Sequence, residues 1–157
     1  MYQNLLQDAS FWRFLFSVDY DLAILDCPPG MTLVLESVLA AAESILVPTI
    51  PTTLSLRTLE QLARHLSKKG PRELAVLPFF SMVDRRRAMH RELVDGERKA
   101  PFRFLKTSIP YSSTVETMGI QRMPIEAYTP WSQAAKAYRA LWAEVDQRIL
   151  DPGGGEM

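Results

Sequence analysis

Tyr20-Asp21-Leu22-Ala23-Ile24-Leu25-Asp26-Cys27-Pro28-Pro29-Gly30 is the stretch on which the fold turns. Four apolar residues lead into an aspartate and a Pro-Pro-Gly turn. The run shows little alternation, so it predicts a strand over 21–26 that is buried on both faces, as in a parallel sheet. Such a strand presents the Asp26 carboxylate at its C-terminal edge, where open α/β sheets gather ligands. A carboxylate so placed, as in a Walker B strand, meets the water shell of a nucleotide-bound Mg²⁺. That chemistry also needs a phosphate cradle of the form Gly-x-x-x-x-Gly-Lys-Ser/Thr. The seven glycines are Gly30, Gly70, Gly96, Gly119, Gly153, Gly154 and Gly155, and none begins that spacing. The sequence carries half of a nucleotide site.

Outward from this stretch, helical and extended patterns alternate. Residues 2–16 read as a helix with Leu5, Leu6, Phe11 (less regularly), Trp12, Leu15 and Phe16 mostly on one side. Thr32 is placed to cap a helix running to about Ala42, and Ser44–Val47 reads as a short strand. Thr52 or Thr53 caps a helix through Lys69 whose inner stripe is Leu59, Leu62, Ala63 and Leu66. Gly70-Pro71 stops it. Leu74–Phe80 predicts a strand, 87–98 a charged helix, Arg103–Thr107 another strand and 112–119 a short helix. Thr129 as N-cap and Pro130 as first residue open a last helix to Leu150. Trp131, Ala134, Ala135, Tyr138, Leu141, Trp142, Val145 and Ile149 form its packing face. The order of elements predicts an α/β fold of three layers, a mostly parallel sheet with helices on both faces. Residues 1–150 read as one domain and 151–157, with three consecutive glycines, as a disordered tail.

Composition sets the class. The chain has 157 residues, 47% hydrophobic and 23% charged, which are globular values that argue against wholesale disorder. No apolar run reaches membrane-spanning length, and the N-terminal residues lack a signal-peptide pattern. A lone Cys27 permits no intrachain disulfide and fits a reducing, cytoplasmic setting. Formal net charge is zero, so attraction to nucleic acid has to come from a local patch. The densest basic run is Arg85-Arg86-Arg87 followed by His90 and Arg91. A charged run opening a helix is as a rule a solvated face, and Glu92, Asp95 and Glu97 dilute this one. Arg57, Arg64 and Lys68 share a second outer face, about two helical turns and then one apart. His65 and His90 read as solvated, with no partner at metal-ligand or triad spacing.

An ordered series of short motifs adds a resemblance. Leu39-Ala40-Ala41-Ala42-Glu43-Ser44-Ile45-Leu46-Val47-Pro48 precedes Pro51-Thr52-Thr53-Leu54-Ser55-Leu56-Arg57. Ser81-Met82-Val83-Asp84-Arg85-Arg86-Arg87 and Ile109-Pro110-Tyr111-Ser112 follow, and Pro124, Tyr128 and Pro130 precede Ala134-Ala135-Lys136-Ala137-Tyr138. In this order the chain resembles the C-terminal part of a ParA/MinD-type ATPase of the deviant Walker A, SIMIBI class, closest to its partitioning branch. The family's Walker A loop, signature lysine and switch I aspartate have no counterpart among these residues. The resemblance implies the C-terminal portion of a P-loop NTPase-like fold, with residues 1–150 as an N-terminally incomplete nucleotide-binding domain.

What the resemblance implies for the site is specific. Asp26 would hold Mg²⁺ through water, and Pro29 and Gly30 would belong to switch II, beside the γ-phosphate. Met82, Asp84 and Pro110 would stand at the adenine end of an ATP site. Arg85, Arg86, Arg87 and Arg91 fall where partition ATPases contact DNA, Arg86 being the nearest positional match, with Arg57, Arg64 and Lys68 in support. The expected cofactors are ATP and Mg²⁺. The expected partners are DNA without sequence preference, a ParB-like or ParA-like protein, or a second copy of the chain, in the cytoplasm and at the nucleoid. Without a phosphate loop, the chain alone is expected not to hydrolyse ATP. Two alternatives stay open beside the ATPase-family reading: a non-catalytic module that binds DNA or a partner, and a decayed gene fragment.

Overall fold

A computed structural model describes residues 21–27, 33–68, 74–96 and 100–150. They fall into two compact units, Met1–Ile45 and Leu46–Met157. In the first, α1 spans Leu33–Ala41, with Ser37, Val38, Leu39 and Ala41 buried. The predicted strand over 21–26 is not formed: residues 22–27 have no regular secondary structure, and Leu22 and Ile24 are 44% and 77% exposed. A strand that is apolar on both faces needs ladder partners and cover on both sides. Among the described residues no strand pairs with it.

The second unit is built on a three-stranded sheet in the order β1 (Ser44–Thr49), β2 (Ala75–Val83), β3 (Ser108–Pro110). Strands β2 and β3 run parallel. Each strand-to-strand connection carries a helix, as a parallel neighbour requires: α2 (Thr53–Lys68) and then α3 (Ala88–Asp95). Three short helical segments follow, α4 (Ser113–Glu116), α5 (Met118–Gln121) and α6 (Ile125–Tyr128), and then the long α7 (Gln133–Leu150).

Side chains of β2 alternate between two apolar layers. Leu77 and Phe79 pack with Leu105, Ile109, and Leu141 and Val145 of α7. Phe80 and Val83 pack on the opposite face with Leu59 of α2 and Phe104, joined by Leu56, Leu62, Leu93 and Val94. Phe80 and Phe104 stack with ring centroids 4.4 Å apart. The sheet is thus covered by helices on both sides, the predicted three-layer α/β arrangement. A third cluster, Ile125, Ala134 and Ala135 with Val115, Met118, Tyr128 and Tyr138, seats α4–α6 against the start of α7.

Phe80 and Val83 lie three residues apart, so strict alternation would send them to opposite faces. The ladder resolves this. Phe80 stands opposite Ser108 and Val83 opposite Pro110, so β2 spends three steps where β3 spends two. The extra residue is a β-bulge. Met82 carries it in a left-handed conformation (φ 55°) and is turned outward, 45% exposed.

Arg103–Thr107, predicted as a strand, is irregular, and two features explain it. Pro78 lies in β2 facing this segment: its carbonyl accepts from the Leu105 amide (2.8 Å), but it has no N–H to return, so the parallel ladder loses a rung. The next two amides, of Lys106 and Thr107, donate instead to the Glu144 carboxylate of α7, at 2.7 and 2.8 Å. Regular pairing resumes only at Ser108.

Other boundaries move for local reasons. β2 runs to Val83 rather than Phe80 because the bulge carries pairing past Ser81. α3 is shorter than the predicted 87–98: Gly96 ends it, its amide bonded to the Glu92 carbonyl (2.9 Å). A Cβ at Gly96 would lie 2.4 Å from that same oxygen. The predicted helix 112–119 is two short turns joined at Thr117. α7 begins at Gln133, not at Thr129-Pro130: Ser132 caps it, its hydroxyl accepting from the Ala135 amide (3.1 Å). Trp131 therefore sits ahead of the helix, 83% exposed, and Trp142 is 48% exposed, so neither belongs to the packing face. Helix 2–16, Thr32, Gly70-Pro71 and the tail 151–157 lie outside the described residues.

Candidate functional site

The sequence-predicted residues divide between the two units. Asp26 is in the first, exposed at the end of an irregular segment; Pro29 and Gly30 lie outside the described residues. Burial, reinforced by the Asp26 charge, pushes the neighbouring Cys27 thiol up from its ordinary value, so it is not an activated nucleophile. Among the described residues no three His, Cys, Asp or Glu side chains gather as a metal site. Asp26 could meet a hydrated Mg²⁺ as one ligand through water. Neither it nor its described neighbours offer the run of backbone amides that a triphosphate needs. The described residues do not fit the phosphate side of a nucleotide.

In the second unit, the sheet brings Met82, Asp84 and Pro110 together at the carboxyl ends of β2 and β3. Val83 and Pro110 are ladder partners, and the Tyr111 amide donates to the Val83 carbonyl (3.0 Å). Tyr111, 48% exposed, hydrogen-bonds Glu116, and that bond raises its phenol above the ordinary value. Exposed Met82 and Tyr111 thus stand at adjacent strand ends with Asp84 close by.

The turn from β2 to α3 holds the basic cluster, and it is tightly wired. Asp84 accepts from the Arg86 amide (3.1 Å) and from one edge of its guanidinium, Nε and Nη2, at 2.9 and 3.0 Å. Those bonds hold the Asp84 carboxyl at about 2. Arg85 pairs with Asp95 at the far end of α3 (2.7 Å). Arg91 donates to the carbonyls of Arg85 (2.7 Å) and Arg86 (3.1 Å), closing the turn from the helix side. Arg87 is exposed and opens α3 without a side-chain cap bond. Three of the four predicted DNA-contacting arginines thus have intramolecular partners. The pairs lie at the surface, where ion pairs add little to stability, so a phosphate can compete for the guanidinium groups. Arg57, Arg64 and Lys68 are all exposed on α2, as the periodicity predicts, with Arg64 Nε donating to the Glu60 carbonyl (3.4 Å).

His90 corrects the sequence reading. It is not solvated but 2% exposed, and its Nδ1 accepts the Asp84 backbone N–H (3.0 Å). Burial, then the Arg87 charge, holds its imidazole below the ordinary value, with Asp84 acting weakly the other way. The signal was present in the sequence: position 90 falls on the face of α3 shared with Leu93 and Val94, which pack against the sheet.

Residues 13–72 match a family model described as an AAA domain. A ParA family protein of Chlamydia trachomatis is 28% identical over 131 residues, covering 80% of this chain and 51% of that protein. The sporulation initiation inhibitor protein Soj of Bacillus subtilis is 30% identical over 133 residues, 81% of this chain and 52% of its own length. The chain therefore spans about half the length of the curated relatives it matches. Among solved structures, the septum site-determining protein MinD complexed with Mg-ADP from Pyrococcus horikoshii superposes with a TM-score of 0.68 at 23% identity. That likeness in fold covers 90% of this chain and 56% of the other. By sequence the chain is similar to ParA family proteins over about half of their length, and its fold is similar to that of MinD.

Proposed function

We propose that this chain serves a partition-type function by contacting DNA without sequence preference, and that the chain by itself does not turn over ATP. The reading rests on the β2–α3 turn: three consecutive exposed arginines on a chain of zero net charge, at the carboxyl edge of a parallel sheet. Arg87 leads the contact and Arg86 joins by exchanging Asp84 for a phosphate oxygen. The outer row of α2, Arg57, Arg64 and Lys68, adds charge. Phosphate contacts of this kind carry no sequence information, and each one removed lowers the salt slope by about 0.9. Mg²⁺ and ATP enter as family cofactors: in the first unit Asp26 would be a metal ligand through water, and in the second Met82, Asp84 and Pro110 would be the residues toward a base, each taken by itself. No catalytic step is assigned to these residues, because the sequence holds no Gly-x-x-x-x-Gly-Lys.

The test compares wild type, Arg87→Ala and Arg85/Arg86/Arg87→Ala on unrelated duplexes at two salt concentrations. We expect weak binding, equal loss on every sequence, and a slope that falls with each arginine removed. Equal affinity of all three proteins makes the arginines a solvated face. A second reading, that of a protein-binding module, is favoured by Ile120 and Trp131, which are 79% and 83% exposed. A ParB-like or ParA-like protein or a second copy would be the partner. Absence of DNA binding at low salt, together with association sensitive to Trp131→Ala, selects it.

A further inference from the structure

The turn that carries the arginines is anchored by one buried imidazole. His90 is 2% exposed, and its Nδ1 accepts the backbone N–H of Asp84 at 3.0 Å. An acceptor nitrogen carries no proton, so the neutral ring holds its hydrogen on Nε2. That atom is buried and has no hydrogen-bond partner among the described residues. Asp84, fixed at its amide by His90, in turn fixes Arg86 through three bonds, from the arginine's amide, Nε and Nη2. Arg91, one residue beyond His90 on α3, grips the Arg85 and Arg86 carbonyls. The chain of contacts runs from His90 to Asp84 to Arg86, and α3 closes it.

We propose that His90 is a proton-sensitive anchor of the β2–α3 turn: protonation at Nδ1 converts the acceptor into a donor, expels the Asp84 amide and loosens the arginine-bearing turn. The proton comes from solvent and adds to the Nδ1 lone pair; the Asp84 N–H hydrogen bond is lost and no other covalent bond is made or broken. A second N–H facing the Asp84 N–H is repulsive, and a buried imidazolium loses its hydration, so the two states are discrete. The charges that bear on the ring are Arg87 from the start of α3, which opposes protonation, and Asp84 from the end of β2, which favours it. From the end of β3, Tyr111 bears on Asp84 and Arg86. The balance places the transition below the ordinary histidine range. The inference does not depend on what the arginines bind.

The experiment is an NMR titration of the full chain, following the His90 ring nitrogens and the Asp84 amide. At neutral pH the ring is expected to show the tautomer protonated at Nε2. On acidification the Asp84 amide resonance is expected to move in step with the ring, and its protection against exchange to fall about tenfold, the worth of one hydrogen bond. His90→Asn keeps an acceptor oxygen near the Nδ1 position and does not titrate; in that variant the Asp84 amide is expected to stay still over the same range. A ring found protonated at Nδ1 at neutral pH overturns the proposal. So does an Asp84 amide that ignores the ring's titration, or one that titrates equally in His90→Asn. Should His90→Asn not fold, the tautomer and the coupled titration of wild type decide alone.

Discussion

At the scale of single residues, two positions carry more than their neighbours. Met82 holds a left-handed backbone so that Phe80 and Val83 can both reach the α2 layer. A non-glycine residue there costs on the order of 1–3 kcal/mol. Met82→Gly is therefore expected to leave stability unchanged or raise it by up to about 1 kcal/mol, since little packing is lost from a half-exposed side chain. Met82→Val, β-branched at positive φ, is expected to destabilise. Urea unfolding of the pair checks both signs. The second position is Glu144. Burial alone would push its carboxyl up, but the amides of Lys106 and Thr107, helped by Arg148, overcome this and lower it. A carboxyl lower in the folded state than in the unfolded chain adds stability that is complete above the ordinary glutamate range. That stability is lost as pH falls through the folded value. Glu144→Gln is expected to cost about 1.5–3 kcal/mol at neutral pH, and to flatten the acid limb of the stability profile. An unchanged acid limb would count against the assignment.

At the scale of elements, capping decides where helices start, and the sequence offers more caps than the fold uses. Of the two caps the sequence offers for α2, Thr52 and Thr53, Thr52 takes the role, its hydroxyl accepting from the Ser55 amide (3.2 Å). Thr129 and Pro130 look equally good ahead of α7. The Thr129 hydroxyl instead turns back to the Ile125 carbonyl (3.3 Å), and Ser132 takes the cap. Ser132→Ala is expected to cost about 1 kcal/mol, the usual worth of an N-cap. Thr129→Ala is expected to cost less, and thermal unfolding of the two variants ranks them. Had Thr129 been the cap, the order would reverse.

At the scale of the whole molecule, the alternation of helices and strands was legible because the longer helices keep an apolar stripe and several turns carry a Gly, Pro or Thr. The three-layer arrangement follows from that order. What was not legible depends on distant partners. No local pattern announces that the Leu22–Leu25 run lacks a ladder, that Pro78 and Glu144 together suppress a strand over 103–107, or that His90 is buried under a turn. The arginine cluster was legible as a run along the sequence, but its pairing with Asp84 and Asp95 was not. Two expectations belong to this scale. Phosphate release by the purified chain is expected to match that of an Asp26→Ala control, since a lone carboxylate cannot replace a phosphate loop; turnover well above the control would refute this. Strand β1 ends the sheet among the described residues, with Leu46 and Pro48 exposed. Pro48 removes one donor, and the remaining edge can pair with another chain. Light scattering is expected to show association that rises with concentration and weakens in Leu46→Lys; a strictly monomeric wild type would contradict it.

The Glu144 clasp has a consequence for how the molecule opens. It ties two loop amides to a helix 37 and 38 residues further along the chain. Loop amides ordinarily exchange with solvent deuterons through small local fluctuations. Those of Lys106 and Thr107 can be released only when the clasp lets go, and Leu105 and Ile109 on either side are packed under Leu141 and Val145 of the same helix. Lys106 and Thr107 should therefore exchange at the pace of α7, as members of its cooperative unit, while the exposed backbone around Met123 exchanges far sooner.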